Sequence, residues 1–344
     1  MPRFPLPRLA ALTAVATLAL TGCGTEPADG PAPADGRAHH GGTGAATVEA
    51  ERFLRLTETH PETGMTLLEG PTFDAEGRLL VVDVTAPAGA PKVLRVDLQA
   101  RTSERLLTDD RGAYTSAQFS PHDGRLYLSD FAHGEIVSAE PDGSDPRVFF
   151  AGEVDGAPMH PDDIAFDPDG HLYLSDSRGL AEGESVGRVV RVDREGREAT
   201  VLADGLAAPN GISFDADFRG LWVSELTENR VSYLQWEAEG GVAASHTALR
   251  VDGGLAQTDS IAVDADGNLY QGLHGRPAVL VYDRYGRHLA TIEIPAGDEG
   301  LTSATNLAIT PGGTTAYLTV SGPAGGYLYT FEALAEGTRQ SNGG

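Results

Sequence analysis

The chain is poor in cysteine and in basic residues, and each shortage excludes a class of protein. Its single cysteine, Cys23, leaves no partner for an intramolecular disulfide. Its 25 Lys and Arg stand against 50 Asp and Glu, which gives a formal net charge of -25. A surface of this charge repels a phosphate backbone, so we expect no nucleic-acid partner. Aromatic residues are also few, at 7%, whereas 43 Gly and 21 Pro suit an all-β protein with many turns.

The N-terminus carries an apolar run, Leu9 to Leu20, behind the basic residues Arg3 and Arg8. The run is too short for an ordinary transmembrane helix, and it ends in small residues as secretory signals do. Its last residues, Leu20-Thr21-Gly22-Cys23, resemble the bacterial lipobox, which is cut before its cysteine and then lipidated on the cysteine sulfur. We therefore predict that residues 1–23 are a lipoprotein signal peptide with Cys23 as the lipobox cysteine.

Residues 24–48 are rich in Pro, Ala and Gly and contain almost no large apolar side chain. Such a segment cannot offset the entropy of ordering, so we expect a flexible tether. The pair His39-His40 within it is weak evidence for a metal site. This organisation predicts a protein that is secreted and lipid-anchored on the outer face of a bacterial cytoplasmic membrane, with no other contact to the membrane.

The remainder, residues 49–344, contains a pattern of strands and turns that repeats six times. The core residue of the first strand recurs every 46 to 49 residues, at Phe73, Phe119, Phe166, Phe214, Val263 and Ile309. Short strands at this spacing, without helical periodicity, predict an all-β six-bladed propeller around a central channel. Pairing of Phe53–Thr57 with Gly326–Phe331 would close the ring. A closed ring has few free strand edges, so we expect a monomer.

Polar residues occupy the start of each first strand, four positions before the core residue. They are Glu69, Thr115, Asp162, Asn210, Asp259 and Thr305, and the next residues along are Gly70, Ser116, Asp163, Gly211, Ser260 and Asn306. Converging carboxylates repel one another unless a cation sits between them. Hydrogen bonds that only tie loops together are the alternative, but they would have to offset three charges. Oxygen ligands without cysteine favour Ca²⁺, with Mg²⁺ or Mn²⁺ next and Zn²⁺ last.

The loops and turns divide between the two mouths of the channel. The turns Asp167–Gly170 and Asp264–Gly267 lack EF-hand spacing, so we interpret them as hairpin turns at the mouth opposite the polar ring. Ser175–Arg188, rich in Gly, Glu and Ser, is expected to form a lid. His160 and His274 can reach the rim, although exposed loop histidines without a function are common. The loops expected to shape a substrate pocket follow the second strands, at Asp130–Glu135, Asp176–Arg188, Glu225–Arg230 and Gly272–Arg276.

Several segments resemble the gluconolactonase, regucalcin (senescence marker protein) and luciferin-regenerating enzyme family. The first are Leu68-Glu69-Gly70-Pro71, Pro209-Asn210-Gly211-Ile212 and Asp259 to Asp264. The resemblance covers all six repeats in order and spacing. It is closest to the drug-responsive lactonase branch, through Asp162-Asp163, Leu221 to Glu225 with Asn229-Arg230, Asp266 to Tyr270, and Asp298-Glu299-Gly300. The resemblance implies a calcium-dependent or other divalent-metal hydrolase of lactones, and some relatives of the family cleave organophosphorus compounds.

Carried over residue by residue, the resemblance implies that Glu69, Asp162, Asn210, Asp259 and Ser260 hold the catalytic metal. Asp259 is the implied general acid/base, with Asp163 as the alternative. The drug-responsive branch also holds a second, structural calcium, but here the matching region reads Ala132-His133-Gly134 and Glu153-Val154-Asp155 with altered loop lengths. The sequence therefore leaves that second site open.

The residues are consistent with hydrolysis of a ring ester by metal-activated water. The letters Gly-x-Ser-x-Gly occur once, at Gly183–Gly187, but they lie in the loop expected to form a lid and not at a strand-to-helix turn, so a serine-esterase mechanism lacks its nucleophile elbow. The alternatives are an organophosphate-type ester hydrolase and a non-catalytic propeller that binds a ligand at the cell surface. The acidic rim disfavours strongly anionic substrates and favours neutral lactones.

Overall fold

The computed structural model describes residues 44–181, 183–237 and 241–339. The predicted signal peptide with Cys23, the pair His39-His40 and most of the predicted tether lie outside these residues. The prediction of a flexible tether is wrong at its C-terminal end, because strand β1 (Ala46–Glu49) begins within residues 24–48. The strand is ordered because Val48 packs on an apolar cluster and because Ala50, which follows the strand, is 1% exposed.

The described strands follow one another in short runs. After β1 they are β2 (Glu51–Thr57), β3 (Leu68–Phe73), β4 (Leu79–Asp83), β5 (Pro91–Asp97), β6 (Thr102–Thr108), β7 (Tyr114–Phe119), β8 (Leu126–Asp130), β9 (Glu135–Ala139), β10 (Arg147–Ala151), β11 (Glu153–Val154), β12 (Ala157–Pro158), β13 (Pro161–Phe166) and β14 (Leu172–Asp176). The second half contains β15 (Gly187–Val192), β16 (Ala199–Leu206), β17 (Pro209–Phe214), β18 (Gly220–Glu225), β19 (Arg230–Trp236), β20 (Val242–Arg250), β21 (Gln257–Val263), β22 (Leu269–His274), β23 (Ala278–Tyr282), β24 (His288–Glu293), β25 (Ser303–Ile309), β26 (Thr315–Gly322) and β27 (Gly325–Glu332).

Strand pairing sorts these strands into small antiparallel sheets. Strands β3–β6, β7–β10, β13–β16 and β17–β20 each form a four-stranded sheet in which every strand pairs with the next along the chain. The short strands β11 and β12 form a hairpin of their own. A nine-stranded sheet contains β21–β24 and β25–β27, which are joined by one residue pair, Leu273 with Ala304.

The two chain ends of the folded part meet in the nine-stranded sheet. Strand β2 pairs antiparallel with β27, with Thr57 opposite Gly326. This confirms the predicted pairing of Phe53–Thr57 with Gly326–Phe331. Strand β1 adds in parallel to β24 on the far edge of the same sheet. Strands β1 and β2 are therefore the outermost strands on the two sides of that sheet.

Apolar clusters fill the spaces between neighbouring sheets. One cluster joins β3–β6 to β7–β10 through residues such as Val82 and Leu128, and further clusters join each following pair of sheets. The last cluster joins β25–β27 back to β3–β6, with Ala308 and Leu328 packed among Leu68 and Val96. The sheets therefore pack face to face in a closed circuit. The fold is an all-β, propeller-like arrangement of small sheets.

The Asp-Gly turns lie where first strands meet second strands. The Asp167 side chain accepts hydrogen bonds from the backbone N–H groups of Asp169 and His171, at 3.0 and 2.9 Å. Asp264 accepts equivalent bonds and also one from the Tyr270 hydroxyl, at 2.9 Å. These carboxylates are used by the turn itself, which confirms the interpretation as hairpin turns. In the described ranges, no helix has the length and apolar character of a membrane span.

Candidate functional site

The first strands, β3, β7, β13, β17, β21 and β25, form the inner wall of the circuit. Each contacts the next in chain order, and β25 contacts β3. Each ends at a core residue that the repeat predicted, from Phe73 in β3 to Ile309 in β25. The predicted polar ring consequently gathers at the opposite ends of these strands. Glu69, Asn210 and Asp259 there are only 4% to 7% exposed.

Each first strand departs from regular pairing close to the polar ring. In β13 the register with β14 shifts between Pro161 and Ile164. Strands β3, β7, β17, β21 and β25 have irregularities at equivalent places. A bulge re-aims side chains that strict alternation would place on opposite faces. It thereby allows both residues of Asp162-Asp163 to reach one buried cluster.

Asp162 is hydrogen-bonded from two sides within this cluster. The Asn210 amide nitrogen and the Ser177 hydroxyl each donate to Asp162 Oδ2, at 3.2 Å. Burial, together with the neighbouring charge of Asp163, raises the pKa of Asp162 to about 7, although the Ser177 bond acts in the other direction. Without a cation, the Asp162 carboxyl is therefore a mixture of protonated and ionised forms near neutral pH.

Asp163 is 1% exposed and faces the interior of the cluster. The Ser116 hydroxyl donates to Asp163 Oδ1, and the Ile164 backbone N–H donates to the same oxygen at 3.1 Å. Burial raises the pKa of Asp163 to about 6, and these hydrogen bonds together with one from Ser260 oppose the rise. Asp163 Oδ2 has no hydrogen-bond partner among the described residues.

Glu69 and Asp259 carry the strongest electrostatic penalty in the cluster. Burial comes first, and the charges of neighbouring aspartates come second, in raising the pKa of both carboxyls well above the usual range. Asp162 and Asp163 contribute to both shifts, and Asp259 adds to that of Glu69. No Lys or Arg is among the groups that shift the pKa of either carboxyl. The four carboxyls therefore form one electrostatic unit, to which no Lys or Arg in the described ranges contributes.

Other buried carboxylates at the same ends of the sheets do have cationic or histidine partners. They lie at the last residue of a second strand, and the pairs are Asp83 with His60, Asp130 with His133, Asp176 with Arg188 and Glu225 with Arg230. Arg230, for example, bonds Glu225 through Nε at 2.8 Å and through Nη2 at 2.6 Å. Each of these four carboxylates thus has a hydrogen-bonding partner within the fold. The carboxylates of the polar ring differ, because no Lys or Arg among the described residues pairs with them.

Second-strand hydroxyls hold the backbone on which the ring is built. The Ser175 hydroxyl donates to the carbonyl oxygen of Asn210 in the next sheet. The Ser224 hydroxyl donates to the carbonyl oxygen of Asp259 in the sheet after that, at 2.6 Å. Each serine also accepts an N–H from the first strand of its own sheet. These bridges fix neighbouring first strands relative to each other, and with them the side chains of the ring.

Glycines in the first strands set how closely these strands approach. A Cβ on Gly211 would lie 2.6 Å from the backbone nitrogen of Ile261 and 2.7 Å from Cα of Ser260. Gly70 has the same relation to the backbone of Ser116 and also has a φ of 49°. Both positions therefore need glycine because backbone, which cannot move away cheaply, occupies the space.

We expect Gly211→Ala to displace the strand that carries Asp259 and Ser260. The variant should lose roughly 2–4 kcal/mol of stability, as overpacking against backbone does, and should bind Ca²⁺ more weakly. Thermal denaturation with and without Ca²⁺ measures both effects. Gly297→Ala is the control, since Gly297, like Gly211, has no positive φ, but a Cβ there meets nothing within 4 Å. An unchanged Ca²⁺ response in Gly211→Ala would contradict the argument.

The two rim histidines differ in their relation to the cluster. His274 Nδ1 lies 3.9 Å from Asp259 Oδ2 and 3.4 Å from the Ser303 hydroxyl. Burial lowers the pKa of His274, so its ring is mainly neutral at pH 7. His160 is exposed and packs against Phe131, with ring centroids 5.7 Å apart. Only His274 is in reach of the ring carboxylates.

The donor set fits a hard divalent cation in chemistry. Glu69 Oε2 and Asn210 Oδ1 are buried and have no hydrogen-bond partner among the described residues. All donors are oxygens, and no Lys or Arg within the described part of the chain offsets the carboxyls. In the described ranges, however, no three His, Cys, Asp or Glu side chains converge tightly enough to hold a metal by themselves. The amide of Asn210 and the hydroxyl of Ser260 are therefore needed to complete such a set.

Sequence reasoning found the ring and did not identify the serines that support it. Ser175 and Ser224 each precede the acidic residue that ends a second strand, in Leu-Tyr-Leu-Ser-Asp and Leu-Trp-Val-Ser-Glu. Ser129 has the same place in β8, although its hydroxyl has no hydrogen-bond partner among the described residues. This recurring serine before a carboxylate was the available signal. Ser177, which bonds Asp162, lies outside that pattern and had no comparable signal.

Comparison with known proteins gives matches over most of the chain. Residues 67–322 match the family described as SMP-30/Gluconolactonase/LRE-like region. Lactonase drp35 of Staphylococcus saprophyticus is 28% identical over 302 residues, which cover 85% of this chain and 89% of that protein.

Solved structures agree in fold. The gluconolactonase of Xanthomonas campestris has a TM-score of 0.65 at 20% identity, and the match covers 84% of this chain and 98% of that one. Regucalcin of Agrobacterium tumefaciens, described as a calcium-binding protein, has a TM-score of 0.67 at 18% identity and covers 86% and 99%. At these identities the likeness concerns the fold.

Proposed function

Because the chain belongs to the SMP-30/gluconolactonase/LRE-like family, we propose that it is a divalent-metal-dependent hydrolase that opens ring esters, that is, a lactonase. Membership confirms the resemblance that the sequence motifs carried. The observation that supports the activity is the cluster of Glu69, Asp162, Asp163 and Asp259 at one end of the first strands, where no Lys or Arg of the described residues offsets the charge. The name of the drp35 relatives points to the same reaction class.

We take the architecture to be a six-bladed propeller. Four blades are the separate four-stranded sheets, and the nine-stranded sheet supplies the other two, β21–β24 and β25–β27 with β2. The six first strands in mutual contact support this count. On this reading the single pair between Leu273 and Ala304 is a contact between two blades.

Glu69, Asp162, Asn210, Asp259 and Ser260 would hold the ion, with Ca²⁺ first among the candidates. Their oxygens match the preference of Ca²⁺ for carboxylate, amide and hydroxyl ligands. When bound, the ion supplies a positive charge that polarises the ester carbonyl and stabilises negative charge on its oxygen. It would also restore the ordinary acidity of the four carboxyls.

The protein's own contribution is proton transfer and orientation. Asp259, in ionised form, accepts a proton as water forms a bond to the carbonyl carbon of the ring ester. The ring C–O bond then breaks, and Asp259 returns the proton to the leaving alkoxide, so that the product is a hydroxy acid. Asp163, with one unpartnered oxygen, is the alternative base. The Ser177 hydroxyl holds Asp162 in place during these steps.

The surrounding charge favours a neutral substrate. The polar ring and the formal net charge of -25 both disfavour an anionic ester. We propose that the mature chain, from Cys23 onward, works as a monomer outside the cell on a lipid anchor. The support for this location is the signal and lipobox pattern in residues 1–23.

The test is hydrolysis of a panel of neutral lactones by the mature protein with Ca²⁺, after chelation, and after Ca²⁺ is restored. We expect turnover that disappears on chelation and returns with the ion. No turnover in a folded sample that binds Ca²⁺ would refute the lactonase assignment. Phosphotriesters assayed in parallel would then show whether the site hydrolyses another ester class or only binds ligands.

A further inference from the structure

A cleft of about 500 Å³ lies between two neighbouring sheets at the end opposite the polar ring. Its walls come from the turn after β17, from the middle of β18–β20, from the turn after β21 and from the turn between β23 and β24. First strands start at the polar ring and end at these turns, so the length of the strands separates the cleft from the candidate catalytic site.

Aromatic rings form much of the cleft wall. Trp222 and Tyr233 pack with their ring centroids 4.6 Å apart, and His246 lies 6.1 Å from Tyr233 on the outer strand. Tyr285, at the tip of the turn between β23 and β24, is 82% exposed. A tyrosine ring this exposed gains little from folding, because its apolar face stays in water. Because Tyr285 lies on the rim of the cleft, a ligand in the cleft can pack on that face.

The polar groups of the cleft are of two kinds: Asp215 accepts a hydrogen bond from the Tyr233 hydroxyl, whereas other charged groups have no such partner among the described residues. Asp266 and Arg284 both line it, and neither side chain forms an ion pair or hydrogen bond with another side chain in the part of the chain that the structure describes. The Arg284 guanidinium instead lies 5.3 Å from the ring centroid of Tyr285. Asp217 adds a second carboxylate, with Arg219 3.8 Å away. The cleft therefore offers separate hydrogen-bond acceptors and donors beside an exposed aromatic face.

We propose that this cleft is a binding site for a neutral saccharide. A sugar ring has one face of C–H bonds, which packs on an aromatic ring, and a periphery of hydroxyls, each of which both donates and accepts hydrogen bonds. Tyr285 supplies the ring, Asp266 accepts from hydroxyls and Arg284 donates to them. An anionic ligand would meet Asp217 and Asp266, and a cationic ligand would meet Arg284. A neutral polyhydroxyl ligand satisfies both kinds of group at once.

This site is independent of the lactonase proposal. Ligand bound there would hold the protein against a polysaccharide while the opposite mouth stays open to small substrates. A soluble oligosaccharide and an insoluble polysaccharide share the same recognition chemistry, and the experiment separates them.

The test uses the Ca²⁺-loaded mature protein and isothermal titration with cellotetraose, maltotetraose and tetra-N-acetylchitotetraose. Oligogalacturonate and the de-acetylated chitosan tetramer serve as the anionic and cationic comparisons. We expect binding of at least one neutral tetramer and weak or no binding of the charged ones. Tyr285→Ala should lower that affinity about ten-fold or more, and Asp266→Asn and Arg284→Gln should each weaken it. Co-sedimentation with the corresponding insoluble polysaccharide shows whether the polymer is held as well.

The controls separate binding from folding and from catalysis. Tyr285 is exposed, so Tyr285→Ala should leave the melting temperature and lactone turnover unchanged. Val148→Ala, an exposed apolar change on β10 at 51% exposure, should leave sugar affinity unchanged. The proposal is overturned if no neutral tetramer binds, if a charged tetramer binds more tightly, or if Tyr285→Ala binds as well as the unmodified protein.

Discussion

Asp259→Asn is expected to lower lactone turnover about 10²- to 10⁴-fold while the protein keeps its fold. Asn has the shape of Asp but cannot accept the proton that the reaction removes from water. The bonds from Ser224 and Gln271 to this residue end on its carbonyl oxygen, at 2.6 and 2.9 Å, so the substitution does not touch them. Circular dichroism, the melting temperature and kcat at saturating Ca²⁺ measure the two halves of the prediction.

The control for Asp259→Asn is Asp169→Asn, which makes the same chemical change at an exposed turn on the far end of the strands. It should leave kcat unchanged. Loss of Ca²⁺ affinity in Asp259→Asn is expected as well, so kcat is compared only where added Ca²⁺ saturates each variant. If Asp259→Asn stays active and Asp163→Asn does not, Asp163 is the base. If both stay active, the proposed proton transfer is wrong.

The repeat in the sequence was enough to place the ring of polar residues. The core residues Phe73 to Ile309 recur at nearly constant spacing, and each does end a first strand. Counting back from them selected Glu69, Asp162 and Asp259 because strands of one repeat start at the same level. A long-range arrangement was readable here since one local pattern is copied around a closed circuit.

The alternation of residues along the strands does not predict two features of the site. Strict period two places Asp162 and Asp163 on opposite faces, and only the register shift in β13 lets both enter the cluster. Pro161 stands where this shift begins, but a proline is also common as the first residue of a strand, so it does not by itself predict a bulge. The sequence also did not predict which buried carboxylates pair with a cationic side chain and which do not. Asp176 meets Arg188 and Asp162 meets no cation only because of the three-dimensional packing.

The carboxyls of the polar ring predict an unusual pH dependence of stability for the metal-free protein. The folded-state pKa values of Asp162 and Asp163, about 7 and about 6, lie above the usual 3.8, so the folded state binds more protons than the unfolded chain. This contribution is fully favourable below pH 3.8 and is lost as pH rises through 6 and 7. The chelated protein should therefore melt roughly 5–10 °C lower at pH 8 than at pH 5.5. Ca²⁺ should remove most of that difference, because it takes the place of the protons.

Two variants test whether the polar ring causes this behaviour. Glu69→Gln removes one of the four coupled carboxyls, so it should melt higher than the unmodified protein at pH 8 without Ca²⁺ and should respond weakly to Ca²⁺. Asp176→Asn alters a carboxylate that is buried to a similar degree but paired with Arg188 at 2.8 Å. It should melt lower at both pH values, since it weakens the partner of a buried guanidinium, and should keep the Ca²⁺ response. A chelated protein with the same melting temperature at pH 5.5 and pH 8, or a Glu69→Gln variant that Ca²⁺ stabilises fully, would show that these carboxyls do not form the metal-dependent unit.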